Sequence, residues 1–301
     1  MVYEERIFLV GATGNIGKPL VQKLLTNPKV ALTLYARTPA KVQELYGDQS
    51  EGKLEVVQGG YDNQKPFKDS IAGHTRLFLL IQTPGFQEGH IHNVRNFAET
   101  AYAAGVQQIV LISGFCSSMP WRNNIVANLG YSWESGIDSI PNRKNFVTLR
   151  PAFFMSNQAL GDALSVKNYN KIIDSQEIDS FKPWISPDDI GELAANILQD
   201  PIEKHGDAVY EMVGDPRTPK EHVEILSRVL GREIVYEKVS EEQSYEIMTK
   251  QAGMSHLVAY TFVFLTAQLA NERATPGLSI LLGRQPETLE QWIEKNKSIF
   301  L

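Results

Sequence analysis

The chain has 301 residues but only one cysteine, Cys116, so no disulfide can form within it. It also lacks an excess of basic residues, since 29 lysines and arginines against 35 acidic residues give a net charge of -6. Direct nucleic-acid binding is therefore not expected, because neutralising phosphates requires a basic surface. The hydrophobic fraction of 43% and charged fraction of 21% are ordinary for a globular protein.

Long apolar runs are also missing. The most apolar long segment, residues 256–270, is shorter than the roughly 20 residues that span a bilayer, and we expect it to form a buried helix. The acidic start, Met1 to Glu5, lacks the basic residues that begin a signal peptide. We therefore expect a cytoplasmic protein with no membrane contact.

Short apolar runs alternate with helical patterns through the first half of the chain. Strands are predicted at residues 7–10, 30–35, 54–57, 77–81, 109–112 and 146–149. This alternation predicts an α/β fold, a Rossmann-type doubly wound parallel sheet. Residues 1–151 would form this domain, with residues 184–214 rejoining it. Residues 152–301 would form a smaller, mainly helical substrate region, with a helical excursion over 152–182.

A glycine-rich loop follows the first predicted strand and opens the first helix. Its glycines are Gly11, Gly14 and Gly17. Glycines let the backbone approach a pyrophosphate, and the helix start supplies N–H donors. The alternative is an ordinary strand-to-helix turn, but the position favours dinucleotide binding. The predicted contacts from this loop are Gly11, Thr13, Gly14, Asn15 and Ile16.

No acidic residue occurs between Val10 and Glu44, although NAD sites commonly place one after the second strand to bind the ribose. Arg37 and Lys41 occupy this region instead, and both suit a 2′-phosphate. The alternative is a solvated surface pair. The pattern favours NADP(H) over NAD(H).

The glycine loop and Arg37, together with residues 146–155, 184–190, 282–286 and 289–292, resemble the NmrA-like group of atypical short-chain dehydrogenase/reductases. The similarity runs in order through nearly the whole chain. It implies a Rossmann-type fold and NADP(H) binding. It also implies one of two activities: reduction of quinones, azo compounds, lignan ethers or iminium ions, or regulation of transcription factors without turnover.

The Tyr-x-x-x-Lys pair of short-chain reductases is missing where it belongs, since residues 119–142 contain no lysine. Tyr61 and Lys65 have the spacing but follow the third strand, so we interpret them as a coincidence. Tyr131 and Ser113 are the catalytic candidates, with Glu134 a further possible proton donor. Because hydride transfer needs only cofactor and acceptor in register, an already activated acceptor remains open.

The nicotinamide is expected at the carboxyl ends of strands four to six. The further cofactor contacts predicted there are Gln82, Thr83, Pro151 and Phe154. The predicted substrate pocket consists of Phe115, Trp121, Phe153, Met155 and Trp184, for each of which core packing is the alternative. No metal site is predicted, since His90 and His92 lack further ligands nearby, and Cys116 is interpreted as a buried small residue.

Two hypotheses follow from these features. The first is an NADPH-dependent reductase of a small apolar, activated acceptor such as a quinone, imine, iminium ion or enone. The second is a non-catalytic NADP(H) sensor that binds a protein partner such as a transcription factor. The missing lysine favours the sensor, whereas the apolar residues after strand six favour the reductase.

Overall fold

The computed structural model describes residues 3–47, 52–81 and 91–301. The first half of the chain contains β1 (Glu5–Val10), α1 (Gly17–Leu25), β2 (Val30–Ala36), α2 (Pro39–Tyr46), β3 (Leu54–Gln58), α3 (Lys65–Ser70), β4 (Arg76–Leu79), α4 (Ile91–Ala103), β5 (Gln108–Ile112), α5 (Ile125–Asp138) and β6 (Asn145–Pro151). A 3-10 turn, Phe115–Ser118, lies between β5 and α5.

The second half is more irregular. It contains β7 (Phe153–Phe154), α6 (Asp162–Tyr169), β8 (Lys171–Asp174), β9 (Trp184–Ile185), α7 (Pro187–Ile197), α8 (Ile202–His205), β10 (Val209–Met212), α9 (Pro219–Leu230), β11 (Val235–Lys238), α10 (Glu241–Glu246), α11 (His256–Gln268), α12 (Pro276–Leu282) and α13 (Leu289–Lys295). A single 3-10 turn, Met155–Ala159, precedes α6, and a π-helical turn, Ile247–Gln251, follows α10.

Seven strands form one sheet in the order β10-β6-β5-β4-β1-β2-β3. The six neighbouring strands β6, β5, β4, β1, β2 and β3 all pair in parallel. Strand β10 pairs with β6 at the edge of the sheet, where Thr148 N donates to Ala208 O and Ala152 N donates to Met212 O. Strand order reverses between β1 and β4, so the sheet is doubly wound, as predicted. The carboxyl ends beside such a reversal are where open α/β sheets bind ligands.

The chain divides into two compact units. Unit 1 comprises residues 1–150 and 190–211, and unit 2 comprises residues 151–189 and 212–301. Residues 184–189 thus lie in unit 2, and the segment that returns to unit 1 is 190–211. Unit 2 contains two small parallel pairs, β7 with β9 and β8 with β11.

The core of unit 1 packs around the central strands. Residues 7–10 of β1 are buried in an unbroken run because helices cover both faces of a parallel sheet. Phe8, Phe67 and Phe97 form an aromatic cluster, with ring centroids 5.0 Å apart for Phe8 and Phe67 and 4.7 Å apart for Phe67 and Phe97. Both pairs meet edge to face, an arrangement that adds to the energy of burial.

Two sequence-based expectations for the second half need correction. The excursion over residues 152–182 is not purely helical, since β7 and β8 interrupt it with short pairings to distant strands. Helix α11 is buried on one face only, because Leu257 and Tyr260 are exposed while Ala259 and Leu265 are buried. Because this helix is apolar on all sides, its sequence shows no periodicity that would distinguish the buried face from the exposed one. Within residues 3–47, 52–81 and 91–301, no helix is long and apolar enough to cross a membrane.

Candidate cofactor and substrate sites

The glycine loop after β1 is closed so tightly that Gly11 and Gly17 have no room for a side chain. Gly11 has a φ of 96°, and a Cβ there would lie 2.6 Å from the Leu80 carbonyl oxygen. A Cβ on Gly17 would lie 2.3 Å from the Gly11 carbonyl oxygen. Only glycine fits these two positions. Because Gly17 has no side chain, the first residue of α1 can pack directly against the backbone of the turn. This geometry suits a pyrophosphate bound against backbone N–H groups at the start of a helix.

A cavity of about 140 Å³ opens beside this loop. It is lined by backbone and side chains at the carboxyl ends of β1 and β2, namely Val10, Gly11, Thr13, Gly14, Tyr35, Ala36, Arg37, Lys41, Gly59, Tyr61 and Leu80. The Tyr35 hydroxyl donates toward the carbonyl oxygens of Gly60 and Asn63, each at 3.1 Å, which fixes the segment after β3 against β2. These hydrogen bonds therefore fix the wall of the cavity within unit 1.

Arg37 and Lys41 are the cationic side chains on this cavity. Both are exposed, and within the described ranges neither side chain makes a hydrogen bond or an ion pair. Gly60 lies beside the Arg37 stem, with 3.8 Å between the position of a Cβ and Arg37 Cγ. Two uncompensated cations at the end of β2 are an arrangement that suits a phosphate.

The other predicted cofactor contacts are dispersed. Asn15 is exposed on the loop, whereas Ile16 is buried in the core at the start of α1. Pro151 ends β6, and Phe154 lies half-buried in β7. Gln82, Thr83 and His90 lie outside the described residues. Among the described residues, no group of three or more histidine, cysteine or acidic side chains could hold a metal ion.

A polar cluster occupies the carboxyl ends of β5 and β6. Ser113 Oγ donates to Glu134 Oε1 at 2.6 Å and lies 2.8 Å from Ser117 Oγ. Arg150 holds the same carboxylate through Nε at 3.1 Å and through a second nitrogen at 2.5 Å. Glu134 raises the pKa of Arg150 through this contact. The Glu134 carboxylate therefore acts as an acceptor that orients Ser113, a role that the sequence pattern did not reveal.

Helix α5 packs closely on this cluster. A Cβ on Gly130 would lie 1.8 Å from Ser117 Oγ, so the helix approaches β5 through a glycine. Tyr131, the next residue, is exposed and lies outside the network. Cys116 is buried, and burial raises the pKa of its thiol to about 11, so the thiol stays protonated at neutral pH.

Replacing Glu134 with glutamine should destabilise the protein by about 2 kcal/mol, because the half-buried charge of Arg150 then loses its bidentate partner. Its remaining carboxylate, Glu211, is 3.8 Å away. Urea denaturation measures the effect. Glu99→Gln is the control, since Glu99 pairs with Arg95 on the surface of α4 and should change stability by at most about 0.5 kcal/mol. Equal effects for the two variants would contradict a structural role for Glu134.

The tyrosine and lysine with the reductase spacing are placed apart from this cluster. Tyr61 lines the cavity beside Arg37 and meets Phe97 edge to face. Lys65 forms an ion pair with Asp69 within α3. This placement on the β2 and β3 side of the sheet agrees with interpreting the pair as a coincidence.

Unit 2 contains a separate cavity of about 150 Å³. Of the five predicted pocket residues, Phe153 and Trp184 line it. Met155 is buried in the core, while Phe115 and Trp121 belong to unit 1, where Trp121 is exposed. Most of the wall is apolar and comes from Leu160, Leu164, Ile173, Ile247, Met248, Ala252, Met254 and Phe262.

Charged residues that sequence reasoning missed lie in the same cavity. Lys182 Nζ donates to Asp174 Oδ2 at 3.1 Å and lies 5.5 Å and 5.1 Å above the rings of Phe153 and Trp184. Burial lowers the pKa of Lys182, but attraction to Asp174 and Asp162 outweighs it and raises the pKa above its ordinary value. Asp162, at the start of α6, also lines the cavity, and burial raises the pKa of its carboxyl to about 6.

A second buried contact supports the cavity from α9. His222 Nε2 lies 2.7 Å from Gln158 Oε1, and the histidine ring packs on Trp184. Burial is the main cause that lowers the pKa of His222 to about 3, so the ring is neutral and donates to the amide oxygen. No spacing pattern in the sequence pointed to this pair, since 64 residues separate its members.

The geometry agrees with comparisons to known proteins. A family model described as NAD(P)H-binding matches residues 11–201, and the model of the NmrA-like family matches residues 143–294. The chain is thus an NAD(P)H-binding protein with a Rossmann-type fold. Within that class, the chain belongs to the NmrA-like family. These matches confirm the predicted fold class, the resemblance and the nicotinamide dinucleotide cofactor.

Individual curated relatives share less than a third of their residues with this chain over the aligned regions. Festuclavine synthase II of Penicillium roqueforti is 29% identical over 163 residues, which cover 52% of this chain and 52% of that protein. The chain spans about half or less of the length of the curated relatives it matches. Among solved structures, the NADPH-dependent quinone oxidoreductase QOR2 of Escherichia coli, solved with NADPH, is similar with a TM-score of 0.80 and 21% identity, over 97% of this chain and 99% of that one.

A regulator shares the same fold. NmrA, a negative transcriptional regulator solved in complex with NADP, is similar with a TM-score of 0.74 and 16% identity, over 97% of this chain and 94% of that one. Since reductases and a regulator both adopt this architecture, the fold alone does not decide between catalysis and sensing.

Proposed function

We propose that this protein is an NADPH-dependent reductase of a small apolar, activated acceptor. The observation that carries the proposal is the presence of two cavities, one suited to a cofactor and one suited to an apolar acceptor. One, in unit 1, is lined by a glycine turn and by the cations Arg37 and Lys41, which have no acidic partner among the described residues. The other, in unit 2, has largely apolar walls with a few charged groups, as substrate pockets commonly do.

The residues of unit 1 fit NADPH, which when bound supplies a hydride to the acceptor. The backbone of the loop from Gly11 to Gly17 would hold the pyrophosphate. Arg37 and Lys41 would hold the 2′-phosphate and so select NADPH over NADH. In unit 2, the ring of Phe153 and the apolar wall would hold the acceptor and exclude water.

The polar groups at the carboxyl ends of β5 and β6 favour an acceptor that is already activated, because those that the structure describes do not include an evident proton donor. The Glu134 carboxylate accepts hydrogen bonds from Ser113 and Arg150, and Ser117 lies beside Ser113, so this network is suited to orientation more than to proton donation. Exposed Tyr131 remains a candidate proton donor. An acceptor that is already electron-poor needs less help from a general acid.

The test is NADPH oxidation with a panel of quinones, iminium ions and enones. Ser165→Phe places a ring in the unit 2 cavity and should raise KM for the acceptor at least about tenfold, with KM for NADPH unchanged. The control, Lys167→Phe, adds the same ring to an exposed position of α6 outside the cavity. Oxidation that Ser165→Phe leaves unchanged would exclude this cavity as the acceptor site.

One observation favours a second candidate function, an NADP(H)-sensing regulator. Residues 119–142 lack the lysine of short-chain reductases, and Ser113 is engaged with Glu134. A sensor would oxidise NADPH with no acceptor of the panel, yet NADPH would alter the protease sensitivity of residues 212–301. The reductase proposal fails if that pair of results is obtained.

A further inference from the structure

The unit 2 cavity contains more negative than positive charge. Among the described residues, Asp162, Asp174 and Lys182 are the charged side chains lining it. Lys182 is hydrogen-bonded to Asp174, which leaves Asp162 as the second carboxylate on one ammonium. Within the described parts of the chain, the Asp162 carboxylate accepts no hydrogen bond, and its attraction to Lys182 is opposed by its repulsion from Asp174.

Neighbouring groups do not offset this charge. His222 is neutral, because burial lowers the pKa of its ring. Arg217, which lines a smaller adjoining cavity with Asp162, is compensated by Asp215 at 2.8 Å and by Glu221 at 3.4 Å. The cavity therefore carries a net charge of about -1 when Asp162 is ionised, counted from its one ammonium and two carboxylates.

An apolar cavity with one spare carboxylate discriminates between ligands by charge. Moving a cation into apolar surroundings is costly unless an opposite charge lies nearby. The walls contributed by Leu160, Ile173 and Phe262 favour hydrocarbon, and Asp162 offsets a single positive charge within it. A neutral ligand of the same shape would gain the apolar contacts but not the charge interaction.

We infer that the unit 2 cavity selects an apolar molecule carrying one positive charge, and that Asp162 is the residue that determines this specificity. The inference rests on the proposed function and adds to it the charge that the acceptor carries. Among the acceptors proposed above, an iminium ion meets this requirement: a hydride from NADPH would form the new C–H bond at the iminium carbon, while the C=N π electrons become a lone pair on nitrogen. The products are a neutral amine and NADP⁺, and no proton is consumed. Such a reaction does not require the missing Tyr-x-x-x-Lys pair.

Equilibrium binding of a matched, non-reducible pair of probes tests this inference without turnover. The probes are (4-hydroxybenzyl)trimethylammonium and its carbon isostere 4-neopentylphenol, and calorimetry measures both at pH 7.5. The wild type should bind the cation at least about tenfold more tightly than the isostere. Asp162→Asn should abolish that preference while keeping its affinity for the isostere, which reports that the cavity is intact.

The control is Asp179→Asn, which removes the same charge from an exposed turn of unit 2 outside the cavity. It should keep the wild-type preference. Equal affinity of the wild type for the two probes would overturn the inference, as would a preference that survives Asp162→Asn. Because neither probe accepts a hydride, these outcomes are independent of whether NADPH oxidation is observed.

The pH dependence provides a second readout. The titratable and charged groups that line the two cavities together with Asp162 are, among the described residues, Tyr169 of α6, Asp174 of β8, Lys182, Arg217, His222 of α9 and Tyr236 of β11. Burial raises the pKa of Asp162 to about 6, so its charge is present above this pH and is lost below it. The preference for the cation should therefore fall as the pH drops through about 6. A preference that is constant from pH 7.5 to 5 would contradict the assignment to Asp162.

Discussion

Arg37→Ala should weaken NADPH binding roughly tenfold or more while leaving NADH binding nearly unchanged. The guanidinium lies at the end of β2 on the cofactor cavity and is not compensated by an acidic side chain among the described residues. A charge-assisted hydrogen bond to a phosphate contributes about 1.5–3 kcal/mol, and NADH lacks the 2′-phosphate that would accept it. Fluorescence titration of each cofactor measures the two dissociation constants.

Arg6→Ala is the matched control for this experiment. Arg6 is also an exposed arginine of unit 1, but it lies on β1 outside the cofactor cavity. Its removal changes the net charge equally, so it isolates the local effect from general electrostatic attraction of the anionic cofactor. If the wild type binds NADH and NADPH equally well, or if Arg6→Ala weakens NADPH as much as Arg37→Ala, the assignment of Arg37 is wrong.

The cofactor side of the molecule could be predicted from the sequence because its determinants are local. The buried strand, the glycines and the first helix follow one another within about twenty residues, and each has a distinct pattern. The absence of an acid between Val10 and Glu44 and the presence of Arg37 are equally visible in the sequence. Backbone geometry then places Arg37 at the end of β2, since parallel strands present their carboxyl ends at one edge.

The polar groups of unit 2 could not be predicted in the same way. Asp162, Lys182 and His222 come from different elements, and nothing in their spacing shows that they meet at one cavity. Their proximity depends on the short pairings of β7 with β9 and of β8 with β11. Such two-residue and four-residue strands are too short for a periodic signal, so the sequence pattern predicts only a helical excursion here.

The Glu134 and Arg150 contact is an intermediate case. Arg150 directly follows a predicted strand, but strand and helix periodicity do not specify that Ser113 and Arg150 both donate to the Glu134 carboxylate. Glu134 was considered as a proton donor because of its chain position. The structure instead places it as a shared acceptor for two donors, which is a consequence of tertiary packing of α5 on β5 and β6.

Gly17→Ala should have the largest effect on stability, lowering the free energy of unfolding of the cofactor-free protein by about 2–3 kcal/mol or more. A Cβ at this position would lie 2.3 Å from the Gly11 carbonyl oxygen and 2.5 Å from the Ala12 carbonyl. These are backbone atoms of a closed turn, so no side-chain rotation can relieve the overlap. Either the turn or the start of α1 must move, which would disturb the packing of Leu20 and Leu24 on the sheet.

Gly14→Ala separates this steric effect from a general preference for glycine in the loop. A Cβ on Gly14 would lie 3.8 Å from the nearest atom, the Gly11 carbonyl oxygen, which is an ordinary contact distance. Alanine there should change stability by at most about 0.5 kcal/mol, because the backbone can keep its conformation. Thermal and urea unfolding of both variants without cofactor measure the difference. Equal stability of Gly17→Ala and Gly14→Ala would show that the turn can open, and it would remove the steric argument for a fixed pyrophosphate cradle.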